Sequence, residues 1–170
     1  MPDQTDTEAK LGQLRLLIAD DNAAMRGIVR TVLAAFGCTQ VFEAGTAKQA
    51  FETLRCEAID MLIVDWKMEP VDGVALVRRL RADKSERIAF MPIIMLTAYA
   101  EPAKVREARD AGVSEFLVKP FSSEGLYRRL VSIVNRPRPF VRTKQFFGPD
   151  RRRFEADFDG DERRHEAPIA

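Results

Sequence analysis

Five short apolar runs, each followed by a stretch of helical period, occupy residues 14–135: LRLLIA (14–19), TQVFEA (39–44), IDMLIV (59–64), PIIMLT (92–97) and EFLVKP (115–120). The runs are continuous rather than alternating. That is the pattern of strands buried on both faces, and so of a parallel sheet. Behind the first run, Met25, Ile28, Val29, Val32, Leu33 and Phe36 recur at helical spacing, and Gly37 stands where a C-terminal cap belongs. Thr46 is placed to cap KQAFETLRCEA. Asp72 is placed to cap GVALVRRLRAD, with Val74, Leu76, Val77 and Leu80 toward the sheet. Ser122 or Ser123, with Glu124, opens GLYRRLVSIVN, whose buried stripe is Leu126, Leu130, Ile133 and Val134. The fourth helix, PAKVREARDAG, has little apolar surface and is expected to be the most mobile. Strands alternating with helices through right-handed crossovers define an α/β, doubly wound (βα)5 domain over residues 13–135.

The flanks differ in kind. Residues 1–12 are polar, lack the basic and apolar regions of a secretory signal, and are expected to be a flexible N-terminus. No apolar run approaches membrane-spanning length, so membrane insertion is not expected. Cys38 and Cys56 sit in apolar-patterned segments without metal spacing, which predicts buried free thiols in a reducing compartment and a cytoplasmic protein. The net charge of +1 hides an uneven distribution: residues 1–135 carry 18 basic and 19 acidic side chains, and residues 136–170 carry 9 and 7. Within that tail a basic block (Arg136, Arg138, Arg142, Lys144, Arg151, Arg152, Arg153) precedes an acidic one. The tail has too few aliphatics for a second core, so it is expected to be a non-globular extension that acts as linker and binding segment.

In a parallel sheet, functional residues belong at the carboxyl ends of the strands. Asp20 and Asp21 follow the first strand, Asp65 ends the third, Thr97 the fourth and Lys119 the fifth. Any one of them alone would be an ordinary solvated loop residue. In register, three carboxylates in one crevice demand a cation, and an oxygen-only set selects a hard divalent ion, Mg2+. Lys119 adds a fixed positive charge and Thr97 a hydroxyl, so the set suits a phosphoryl group carried on a carboxylate.

LLIADDN, LIVDWKMEPVDG, IIMLTAYAE and FLVKPF resemble the signature segments of response-regulator receiver domains, the chemotaxis receiver among them. The resemblance implies a flavodoxin-like sheet of order 2-1-3-4-5 and a signalling protein rather than an enzyme. It implies that Asp65 is the phosphoacceptor for a partner histidine kinase. Mg2+ would then be held by Asp20, Asp21, an Asp65 oxygen and the carbonyl of Lys67, while Thr97 would swing to the phosphoryl group and Lys119 would pair with it. Lys119-Pro120 resembles the family's cis peptide, and Trp66 would flank the site. Two departures stand out: Phe116 occupies the aromatic switch position without a tyrosine hydroxyl, and proline falls at Pro70, one place late, with the Lys67 amine beside the site.

The tail, RPRPFVRTKQFFGPDRRRFEADFDGDERRHEAPIA, combines arginine, phenylalanine and aspartate. Arginine can read the guanine edge and pair with phosphate, rings stack on bases, and a carboxylate accepts from guanine N1 and N2. A solvated charged end is the plain alternative, but Phe146, Phe147, Phe154 and Phe158 argue against it. Its FVRTKQFFGPDRRR and DERR segments resemble the arginine-rich extension of the Cle proteins, CheY-like cyclic di-GMP effectors of alphaproteobacteria. This implies cyclic di-GMP as ligand, with Arg151, Arg152 and Arg153 on guanine and phosphate, Asp150 on the guanine edge, Phe147 and Phe154 stacking, and Arg163 and Arg164 closing the site. It further implies docking on the flagellar motor switch by a monomer recruited to the flagellated pole. The alternative is a conventional phospho-aspartate regulator whose tail is a docking peptide. DNA binding is not expected, because acids follow Phe154.

Overall fold

The protein is described by a computed structural model over residues 4–151. Its elements are α1 (Gln4–Gln13), β1 (Arg15–Ala19), α2 (Ala23–Ala35), β2 (Gln40–Ala44), α3 (Ala47–Cys56), β3 (Met61–Asp65), α4 (Gly73–Arg81), α5 (Glu86–Ala89), β4 (Ile93–Thr97), α6 (Pro102–Ala111), β5 (Glu115–Val118), α7 (Ser123–Asn135), β6 (Phe140–Arg142) and β7 (Phe147–Pro149). β1 to β5 form one parallel sheet of order β2-β1-β3-β4-β5, the flavodoxin-like order expected. Every residue of β3 and β4 is buried, whereas the edge strands are less covered: β2 exposes Gln40 and Glu43 and buries only Ala44, and β5 alternates between buried and half-buried positions. This explains why only the central runs are uniformly apolar.

Two cores cover the two faces. One gathers Leu54, Leu62, Val77, Leu80 and Met95 beneath α3 and α4; the other gathers Leu11, Ile18, Leu33, Leu126 and Leu130 beneath α1, α2 and α7. The caps fall where the side chains predict: Thr46 accepts from the Gln49 N–H, Asp72 from that of Ala75 and Ser122 from that of Gly125. Gly37 and Gly112 take positive φ angles of 83° and 101°, which a side chain would strain.

Several expectations are corrected. Residues 4–13, expected to be flexible, form α1, because Leu11 is fully buried against α7 and Asn135 donates to Thr7. Ile28, placed on the buried stripe of α2, is 54% exposed. Cys56, expected to be buried, is exposed at the end of α3; Cys38 is buried, and that burial pushes its thiol up. α5 was not anticipated.

The tail also contains structure. β6 and β7 pair antiparallel, Phe140 opposite Pro149 and Arg142 opposite Phe147, in a hairpin closed by the Thr143 N–H donating to Phe146. With no aliphatics to spare, the hairpin packs on the main domain instead. Phe140 and Phe147 surround Phe90, with ring centroids 5.0 Å from it, and Phe140 lies under the Arg81 guanidinium. Arg138, ahead of the hairpin, pairs with buried Glu115 at 3.0 Å. The hairpin therefore sits where β4 and β5 begin, at the opposite end of the sheet from the strand-end acids. Among the described residues, no helix is long and apolar enough to cross a membrane.

Candidate functional site

The carboxyl ends of four strands converge as their sequence positions require. Asp20 follows β1 and is 2% exposed, Asp65 ends β3 at 7%, and Thr97 ends β4 fully buried; Asp21 is exposed at the rim. Lys119, just after β5, donates to Asp65 Oδ1 at 2.8 Å and lies 3.3 Å from Asp20 Oδ2. The Lys119 N–H donates to the Thr97 carbonyl, which fixes the root of that side chain. Lys119-Pro120 is cis, as is Glu69-Pro70. The Thr97 hydroxyl accepts from the Tyr99 N–H at 2.9 Å.

The electrostatics follow from burial. Burial pushes the Asp65 carboxyl up; Lys119 opposes this, and the carboxylates of Asp20 and Asp21 add to it, so the net shift is upward. Burial pulls Lys119 down, but its hydrogen bond to Asp65 and the charges of Asp65 and Asp20 outweigh that, and its pKa lies above the ordinary lysine value. Carboxylate oxygens of Asp20, Asp21 and Asp65 lie within 4.8 Å of one another. One ammonium among three carboxylates leaves two negative charges. A hard divalent ion such as Mg2+ fits that donor set in charge and chemistry. Lys67 is exposed in the loop after β3.

Three supporting residues had no clear signal in the sequence. Arg26 donates to the Asp20 carbonyl at 2.8 Å while its Nε donates to Glu43, so the loop carrying Asp20 is tied to β2. Gly73 donates its N–H to the Trp66 carbonyl, and a Cβ there would lie 2.1 Å from the Asp65 carbonyl oxygen; the glycine lets α4 begin directly against the end of β3. Lys104 of α6 places its ammonium 5.0 Å from the Trp66 ring. Only the Asp-Gly pair before a helical pattern hinted at Gly73.

The tail residues divide. Phe147 is half-buried in the Phe90 and Phe140 cluster, with Arg142 over its ring. Asp150 donates its N–H to the Pro139 carbonyl. Arg151 bridges to Asp110 at 2.8 Å and stacks 4.1 Å over Phe146. Arg152, Arg153, Phe154, Arg163 and Arg164 lie outside the described residues.

The chain is similar to known proteins over most of its length. The chemotaxis protein CheY of Pseudomonas aeruginosa is 36% identical over 123 residues, which span 72% of this chain and 98% of that protein. Chemotaxis protein CheY1 of Helicobacter pylori is 38% identical over 122 residues, 71% of this chain and 97% of the relative. Among solved structures, chemotaxis protein CheY4 of Vibrio cholerae superposes with a TM-score of 0.63 at 29% identity, over 69% of this chain and 95% of that one. A probable two-component response regulator/GGDEF domain protein superposes with a TM-score of 0.70 at 28% identity; it matches 78% of this chain, which spans about half (53%) of that protein. Residues 16–131 match the model of the response regulator receiver domain, and with more than half of its length so matched the chain belongs to that family.

Proposed function

We propose that this protein is a CheY-like response regulator whose Asp65 accepts a phosphoryl group from the phosphohistidine of a partner kinase. The observation that carries this is the pairing of Lys119 Nζ with Asp65 Oδ1 at 2.8 Å in the acidic cluster at the strand ends, where Asp20 and Asp65 are buried and Asp21 stands at the rim. A carboxylate oxygen of Asp65 attacks phosphorus, the P–N bond breaks, and the imidazole leaves with the electron pair. Lys119 neutralises charge on the acceptor and then on the phosphoryl oxygens. Thr97, released from the Tyr99 N–H, donates its hydroxyl to one of them. Asp20, Asp21, Asp65 and the Lys67 carbonyl would hold Mg2+, which supplies electrostatic stabilisation of the transferring group. Acetyl phosphate with Mg2+ should add one phosphoryl mass to the chain and change Trp66 fluorescence, and Asp65→Asn should show neither. Uptake by the Asp65→Asn protein would refute the assignment.

A second reading concerns the tail. Phe146, beneath the Arg151 guanidinium, lines an open groove between the hairpin, α4 and α5 together with the cations Arg78, Lys84, Arg142 and Lys144 and the acids Asp83, Glu86 and Asp110. Cations beside rings suit a guanine dinucleotide, and cyclic di-GMP is the ligand we assign to the tail, with Arg151, Arg152 and Arg153 on guanine and phosphate and Arg163 and Arg164 closing the site. In this reading the liganded protein works in the cytoplasm, docks on the flagellar motor switch at the pole and tunes motility. Titration calorimetry of the full chain with cyclic di-GMP tests it, and absence of heat at micromolar concentrations would remove it.

A further inference from the structure

α6 is weakly anchored by its own side chains: only Ala108 and Ala111 of its ten residues are buried, and its N-cap Glu101 makes no side-chain cap bond. Its position depends on what grips its two ends. At the start, Lys104 lies over Trp66 and Tyr99, with cation-to-centroid distances of 5.0 and 5.9 Å, and the Tyr99 N–H is bound to the Thr97 hydroxyl. At the finish, the Gly112 carbonyl accepts two hydrogen bonds from Arg81, at 3.0 and 2.8 Å, and Asp110 bridges to Arg151. The hairpin meets that end backbone to backbone. A Cβ on Gly148 would lie 2.8 Å from the Gly112 Cα, and a Cβ on Gly112 would lie 3.0 Å from the Phe147 carbonyl oxygen. A ten-residue helix, about 15 Å long, thus joins the acceptor site to the hairpin.

We propose that the 140–149 hairpin is a brace on α6 that opposes phosphorylation, so that release of the hairpin and occupancy of Asp65 favour one another. The inference rests on the acceptor reading above. Drawing the Thr97 hydroxyl toward a phosphoryl group breaks its bond with the Tyr99 N–H and frees the loop 98–101 that enters α6. A docked hairpin holds the far end of the helix and resists that change. The coupling is reciprocal: whatever factor hairpin release lends to phosphoryl uptake, occupancy of Asp65 lends to hairpin release.

Hydrogen exchange on the full chain tests this, with beryllium fluoride and Mg2+ as the phosphoryl stand-in and fluorine resonance as the check on occupancy. Exchange in 140–151 and 108–114 should rise about 5-fold or more on occupancy, the low end of ordinary coupling, and Asp65→Asn should abolish the rise. In the reverse arm, Gly148→Val, which drives a side chain into Gly112, should take up phosphoryl from acetyl phosphate about 5-fold faster than the unsubstituted chain. Occupied Asp65 with unchanged exchange overturns the coupling and leaves the acceptor reading intact. No fluorine signal and no phosphoryl mass overturn both. The first arm needs no variant, so misfolding of Gly148→Val does not rescue the idea.

Discussion

The two ends of the sheet bury charge in opposite ways. At the carboxyl ends of the strands, Asp20 and Asp65 are buried with Asp21 beside them, and among the described residues Lys119 is the one ammonium paired with them. At the other end, Arg81 is 6% exposed and faces neutral partners, donating to the carbonyls of Ala89, Met91 and Gly112 in four hydrogen bonds and lying 4.9 Å from the Phe140 ring. Burial pulls Arg81 down to about 9, so it stays charged at neutral pH. Two of its three carbonyl partners, those of Ala89 and Gly112, stand at the C-terminal ends of α5 and α6, where unpaired helix carbonyls favour a cation. One end has charge in excess of its partners, which in the proposed reading a cation and a phosphoryl group would meet. The other has met its demand internally and gains only rigidity. Buried charge signals function where its partners fall short, and architecture where they suffice.

The sharpest break in that contrast is at Lys119. Lys119→Met removes the ammonium that, among the described residues, pairs with the acidic cluster, and should slow phosphoryl uptake from acetyl phosphate about 100- to 1,000-fold, the cost of losing one preorganised electrostatic group. Uptake within a few-fold of the unsubstituted chain would mean that the acceptor end is not poised as described. Next is Arg81→Met, which leaves three buried carbonyls short of donors and takes Phe140 off its cation. It should lower unfolding free energy by about 3 kcal/mol in urea denaturation while phosphoryl uptake persists. An Arg81→Met protein of undiminished stability would deny the structural role of that end.

Legibility followed the same division. Asp20, Asp65, Thr97 and Lys119 were readable because each terminates an apolar run, and a parallel sheet gathers the ends of its runs into one place. Arg81 was not. It continues the Val74 and Val77 face of α4, so its position is a core position, but arginine there, beside exposed Arg78 and Arg79, reads as a solvated helix end. The carbonyls that make it tolerable lie on other elements. The hairpin strands are three residues each, too short for a period to show, and their anchor, Phe90, stands in a turn. α1 rests on Leu11 and Thr7, among otherwise polar residues. Local pattern reveals elements that carry their own apolar stripe, and it misses those that borrow one.

Acidification sharpens the contrast at a smaller scale. With its pKa raised by burial, folded Asp65 binds more protons than the unfolded chain between the ordinary aspartate value and its own higher one, so in that window its contribution to stability falls as pH rises. In Mg2+-free denaturation, Asp65→Asn should be more stable than the unsubstituted chain at neutral pH, and the gap should close as pH drops through the raised pKa. In the proposed reaction phosphoryl uptake needs the carboxylate, so it should fall over the same range. A gap independent of pH would mean that the acidic cluster carries no excess charge.

The smallest expected effect divides the tail itself. Phe147 and Arg151 were both assigned to the same ligand, yet they are held very differently. Phe147 is packed among Phe90, Phe140 and Arg142, so turning its ring to stack on a base would dismantle the hairpin's footing. Arg151 holds Asp110 and Phe146 at the surface, with its side chain 41% exposed, and such contacts contribute between nothing and about 1 kcal/mol. A ligand can therefore take Arg151 at little cost. Arg151→Ala should leave urea stability within about 1 kcal/mol of the unsubstituted chain and weaken calorimetric binding of cyclic di-GMP, because the guanidinium is the available group. Phe147→Ala should instead lower stability, by about 2 kcal/mol for a half-buried ring, with any loss of binding following from the undocked hairpin. If Arg151→Ala is the more destabilising of the two, the surface pair rather than the aromatic cluster seats the hairpin, and the division of the tail into footing and ligand contact fails.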